Sequence, residues 1–120
     1  MRNEWDGLIT FLGTNDLDKT HEFYNKLLNL ELYKDQGLCR IYNVAEGGKI
    51  GFCCHMNVVL KDKSPIITLL TPHVDTAYEN LKNQGYEVIQ EPKINTKFNI
   101  YHFFIKDPNS YTVEIQKFLD

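Results

Sequence analysis

Two stretches of the chain repeat their apolar residues at helical spacing. Between Leu17 and Leu28 these residues are Leu17, Phe23, Tyr24, Leu27 and Leu28, which form one stripe. Asn15 and Asp16 stand where an N-cap and a first-turn acid belong, and Asn29 is a left-handed stop at the far end. The second stripe is Val74, Ala77, Tyr78 and Leu81, with Thr71 as its cap, Pro72 in the first turn and Gly85 beyond its end. The other apolar runs are short and read as strands. Leu8–Leu12 and Pro65–Leu70 each precede a helix. Leu30–Tyr33, Leu38–Val44 and Lys49–Cys54 follow the first helix, and Tyr86–Gln90, Phe98–Lys106 and Tyr111–Gln116 follow the second. Turns between them carry Gly37, Gly47-Gly48, Pro92 and Asp107-Pro108-Asn109.

The predicted order is therefore β-α-β-β-β, twice. Leu17 and Val74 begin corresponding helices 57 residues apart (74 − 17), and NLEL at 29–32 echoes GYEV at 85–88. The polar stretch Lys61–Ser64 is the joint. This predicts an α+β fold of two tandem modules, about 5–60 and about 61–118, within one domain spanning 1–120. Neither module is long enough to bury both faces of its sheet. Each lays its helix on one face and pairs the other with a second sheet.

Composition narrows the partners. Thirteen basic and sixteen acidic side chains leave a formal charge of −3 over 120 residues. Lys61, Lys63, Lys93, Lys97 and Lys106 are interspersed with acids instead of forming the basic face of a nucleic-acid binder. No apolar run approaches the roughly 20 residues of a membrane helix. The opening Met1-Arg2-Asn3-Glu4-Trp5-Asp6 lacks the apolar stretch of a signal peptide, so a reduced, cytoplasmic setting is expected. Cys39, Cys53 and Cys54 are odd in number and show no C-x-x-C spacing; they read as small apolar fillers of a sheet. Adjacent Cys53 and Cys54 would point to opposite faces of a strand.

Two motifs carry a resemblance. D-L-x-K-x-x-x-F-Y-x-x-L-L at Asp16–Leu28, and the close Lys106-Asp107-Pro108-Asn109-Ser110-Tyr111-Thr112-Val113-Glu114-Ile115, resemble the vicinal oxygen chelate superfamily. Glyoxalase I, bleomycin-resistance proteins, fosfomycin-resistance enzymes and extradiol dioxygenases belong to it. The resemblance spans about Leu8 to Phe118. It implies that the two sheets curl into an incomplete barrel around a cavity. It also implies a homodimer, which the exposed edges of the first and fifth strands invite. In the family's enzymes a divalent metal is held by residues of strands one, four, five and eight. Carried over position by position, strand eight keeps its carboxylate as Glu114, but strand one has Ile9 at the His position. Strand five offers only Ile66, Ile67, Thr68, Leu69 and Leu70; strand four has Phe52, Cys53 and Cys54, with His55 at its very end. A catalytic divalent site needs about three protein ligands, and one carboxylate alone does not hold an ion. The expectation is no metal cofactor. A relocated divalent site, Glu114 plus two of His55, His102 and the cysteines, is the alternative. In the last hairpin Ser110 replaces the family's Gly, which leaves Asn109 to take any left-handed position.

Several polar residues have bland readings. His21 reads as a packed or rim histidine, and His73 as solvent-facing. His102 lies mid-strand, where alternation separates Tyr101 and Phe103 from His102 and Phe104. Either face could line the cavity on this reading. Glu114 shares a face with Thr112 and Gln116 and is expected on the concave side, with Val113 and Ile115 toward the helices. Tyr42, Phe52, Tyr101, Phe103 and Tyr111 sit on predicted strands bordering the cavity, a lining suited to a flat organic molecule. The ligand-binding candidates are thus Glu114, His102, Tyr101, Phe52 and Tyr42, and no catalytic residue is assigned. The first expectation is a metal-free binder of a small organic molecule, resembling bleomycin-resistance proteins. The alternatives are a lyase, isomerase or dioxygenase with a shifted metal site, and a non-catalytic sensor or accessory subunit.

Overall fold

The structure, a computed structural model, describes residues 4–86, 88 and 90–120. Eight strands and two helices occur among them: β1 Leu8–Gly13, α1 Leu17–His21, β2 Glu31–Asp35, β3 Cys39–Ala45, β4 Gly48–Cys53, β5 Ile66–Leu70, α2 Val74–Asn83, β6 Lys93–Asn95, β7 Ile100–Lys106 and β8 Thr112–Phe118. The chain divides into compact units Met1–Val59 and Leu60–Asp120. Each contains one open, four-stranded mixed sheet, ordered β1-β4-β3-β2 and β5-β8-β7-β6. In both, the strand before the helix pairs in parallel with the last strand, and the other pairings are antiparallel. The fold is α+β and built of tandem modules. No helix among the described residues is long and apolar enough to cross a membrane.

The first helix differs from the predicted single α-helix. Asp16, not Asn15, is its N-cap, accepting from Lys19 N at 3.0 Å. After His21 it continues as a π-helix, Glu22–Leu27, in which Leu28 N donates to Phe23 O at 2.9 Å. The adjacent Phe23 and Tyr24 are both buried. Tyr24 stacks on Phe52 with ring centroids 4.5 Å apart. Asn29 ends the element at φ 61°, the left-handed stop its sequence position suggested.

In the second unit, Val74, Tyr78 and Leu81 face the sheet, with Tyr78 edge-on to Phe103. Thr71 does not cap the helix itself. Its hydroxyl accepts from His73 N in the preceding turn, and His73 holds the cap position without a side-chain bond. The expected strand Tyr86–Gln90 includes Glu87 and Ile89, which lie outside the described residues. The strand that pairs with β7 is Lys93–Asn95. Asn95 then turns the chain by accepting from Lys97 N and Phe98 N, so β7 starts at Ile100 and not at Phe98. In the last hairpin the left-handed residue is Ser110, φ 72°, and not Asn109. The Asp107 carboxylate accounts for this by accepting from both Asn109 N and Tyr111 N, which leaves the reversal to Ser110.

The cysteines also depart from expectation. Cys39 and Cys53 are buried and joined by a disulfide, while Cys54 is exposed and filler to nothing. Fourteen residues of separation carry no pairing signal in sequence; the register of β3 on β4 sets the two opposite each other.

Candidate functional site

Strand alternation and register together build the site in the second unit. Opposite pairs Phe104–Glu114, His102–Gln116 and Ile100–Phe118 put these six residues on one face of β7 and β8. Their neighbours Phe103, Ile105, Val113 and Ile115 are buried on the helix side. The face away from the helix lines a cavity of about 610 Å³. Its walls are apolar at Ile66, Phe98, Ile100, Phe104 and Phe118, and polar at Asn95, His102, Glu114 and Gln116, with Lys63 and Lys93 adding positive charge.

A chain of hydrogen bonds runs from Thr68 at the rim to His102 in the cavity wall. Thr68, opposite Glu114 on β5, donates its hydroxyl to Glu114 Oε1 at 2.8 Å. His102 Nδ1 meets Glu114 Oε2 at 2.6 Å; the carboxylate accepts, so this ring nitrogen carries a proton. His102 and Glu114 are 4% and 7% exposed. Burying a carboxylate is costly unless its oxygens are bonded, and here both are. The other imidazole nitrogen, His102 Nε2, is buried with no hydrogen-bond partner. Phe104 stands edge-on to the imidazole, 5.1 Å between centroids, and Lys63 Nζ lies 4.9 Å above the Phe104 ring.

The structure brings together two of the five candidates, Glu114 and His102. Tyr101 lies on the opposite face of β7, where its hydroxyl donates to Asp75 on α2. That bond to a carboxylate, ahead of burial, raises the phenol above its ordinary range. Tyr42 and Phe52 have no exposed surface and pack with Tyr24 in the core of the first unit, away from the residues that line the cavity. Phe103 and Tyr111 are likewise core. His21 bonds the Tyr42 hydroxyl through Nδ1 at 2.9 Å. Burial, outweighing the nearby Arg40 guanidinium, pushes Tyr42 up to about 12. The sequence reading missed Phe98, Phe104, Phe118, Lys63, Lys93 and Thr68. Parity with Glu114 and His102 would have found Phe104 and Phe118; Thr68 and Lys93 needed the β5–β8 and β6–β7 registers.

The family model of the Glyoxalase/Bleomycin resistance protein/Dioxygenase superfamily matches residues 8–115, and the chain belongs to that superfamily. Among solved structures, it is similar to a glyoxalase/bleomycin resistance protein/dioxygenase from Alicyclobacillus acidocaldarius. The identity is 18% and the TM-score 0.78, covering 100% of this chain and 96% of that one. A structure from the mobile metagenome of V. Pseudocholerae is 17% identical with TM-score 0.75, covering 100% and 98%. A glyoxalase/bleomycin resistance protein from Catenulispora Acidiphila is 13% identical with TM-score 0.72, covering 92% and 96%. At these identities the likeness is one of fold. No curated protein sequence matches the chain.

The donor set at Glu114 does not fit the metal that the superfamily's enzymes hold. Its two oxygens are engaged by Thr68 and His102, and Thr68 faces it from the strand that should supply a histidine. Among the described residues, the one grouping of three histidine, cysteine or carboxylate ligand atoms is Cys39, Cys53 and His55, which excludes Glu114.

Proposed function

We propose that the protein binds a small, flat organic molecule in the second-unit cavity without a metal ion. The observation that carries this reading is His102 Nε2, a buried polar atom without a partner in the wall of a largely apolar cavity. Leaving such a group unsatisfied costs about 1–3 kcal/mol, and a ligand that supplies the missing bond recovers it. Glu114 and Thr68 fix the imidazole, and Phe98, Phe104 and Phe118 offer ring surface. A volume near 610 Å³ lies within the range of small-molecule sites, about 300–1,000 Å³. The ligand bonds His102 Nε2 with one polar edge and packs its ring against Phe104. Its role is sequestration, as in binding proteins, not turnover.

We also propose that the chain acts as a homodimer. Leu8, Ile9 and Phe11 on β1, and Ile66 and Leu70 on β5, are exposed apolar residues on strands at the edges of their sheets. A thermal-shift screen of fused-ring aromatic compounds bearing one hydrogen-bonding group tests the binding reading. Hits should stabilise the wild-type chain in the presence of a chelator and stabilise His102→Ala distinctly less. A screen whose only hits require added divalent metal would reject it.

A further inference from the structure

The face of the first sheet turned away from its helix carries a cluster that the cavity does not use. Antiparallel register sets Cys39 on β3 opposite Cys53 on β4, with Cα atoms 4.1 Å apart and both side chains buried. The chain then reverses: Met56 N donates to Cys53 O at 3.3 Å, and Cys54 N donates to Leu38 O at 2.8 Å. This turn carries His55 back to the pair, with Nδ1 3.9 Å from Cys39 Sγ. A close backbone approach fixes its position, since a Cβ at Gly13 would stand 2.1 Å from the Asn57 carbonyl oxygen. The two Sγ atoms and the His55 nitrogen lie within 4.8 Å of one another, and His55 is open to solvent. Cys54 takes no part.

Two thiolates and an imidazole form a soft donor set. It suits zinc-class ions and, with no carboxylate, does not suit magnesium or calcium. Zinc sits about 2.3 Å from sulfur and about 2.0–2.1 Å from nitrogen, so ligands on one ion are separated by roughly 4 Å. We infer that, in the dithiol form, Cys39, Cys53 and His55 bind one zinc-class divalent cation, and that the disulfide form does not. A dithiol reductant gives two electrons and two protons to the Cys39–Cys53 bond and itself becomes a disulfide. The ion then displaces one proton from each thiol, and water completes the fourth position. The site lies wholly within the first unit and owes nothing to Glu114 or His102.

The full chain, reduced with a phosphine and freed of it without air, is titrated with Co²⁺ alone. One ion per chain should bind, with the near-ultraviolet absorption of a thiolate–cobalt bond, and one equivalent of Zn²⁺ should displace it. The untreated, disulfide-bonded chain should show no such band, a control that needs no substitution. Cys39→Ser and Cys53→Ser should each lose one-equivalent binding, and His55→Ala should bind more weakly than the wild type, because each removes one of only three protein ligands. Cys54→Ser and Glu114→Ala should bind as the wild type does. Absence of the band in the reduced chain would overturn the inference. So would a band that survives in the disulfide form, or one that depends on Cys54 or Glu114.

Discussion

Tyr42 shows how burial sets the chemistry of a single side chain. Its phenol has no exposed surface, and burial pushes its pKa up to about 12 from 10.0. Below pH 10 both folded and unfolded chains keep the proton and stability is full. Between pH 10 and 12 the unfolded chain ionises first, so stability falls as pH rises. Two pH units correspond to about 2–3 kcal/mol. Tyr86, also pushed up to about 12 by burial and then by Asp107, acts in the same window. Denaturant melts across pH 9–12 should therefore fall less steeply for Tyr42→Phe. Near pH 8 that variant should lose about 1 kcal/mol with its bond to His21. At the cavity, Glu114→Ala removes the acceptor of both His102 and Thr68 and should cost about 2–3 kcal/mol. Thr68→Val, which removes one donor at the rim, should cost about 1 kcal/mol or less by the same denaturant melts. Alternation alone separates Glu114 from Val113 and Ile115 in the sequence, and the structure keeps that division. The choice between the two faces of β7 was not legible, because Tyr101-His102-Phe103-Phe104 is aromatic on both. Register with Glu114 decides it.

Among elements, those with long periodic stripes were legible and those made by register were not. The α2 stripe Val74, Tyr78 and Leu81 is visible in sequence and buried in the structure. The π-helical half of the first helix was not visible, since its apolar residues fit an α stripe equally well. Lys93–Asn95 is too short and polar to announce a strand; it is one because β7 lies beside it. The Cys39–Cys53 pair likewise exists only once β3 and β4 are in register. Two glycines distinguish conformational from steric demands. Gly37 has φ 85° in open space, so Gly37→Ala should cost about 1 kcal/mol, the ordinary penalty of a left-handed backbone. Gly13 meets backbone, Asn57 O and Met56 O, which cannot swing away. Gly13→Ala should cost about 3 kcal/mol or more, and thermal melts of the two variants should rank them in that order.

For the whole molecule, the tandem repeat was the most legible feature, because each helix is flanked by strands in the same order. Sedimentation should give a species of twice 14.1 kDa at micromolar concentration, and a 14.1 kDa monomer would refute the dimer. A metal held by the native chain alone, at 100 times its dissociation constant, would add about 2.7 kcal/mol. For a domain of this size that is a rise in Tm of about 10 °C. Magnesium and manganese should each move the midpoint of the disulfide-bonded chain by far less.

The central claim, ligand recognition by His102 in a metal-independent cavity, is met most directly by one equilibrium titration. The strongest aromatic hit of the screen is titrated by calorimetry into wild-type and His102→Ala chains, each in excess chelator. One molecule should bind per wild-type cavity, and His102→Ala should bind about tenfold or more weakly, the equivalent of one lost hydrogen bond at about 1.4 kcal/mol. Equal affinities for the two chains, or binding that vanishes with the chelator, would contradict the account.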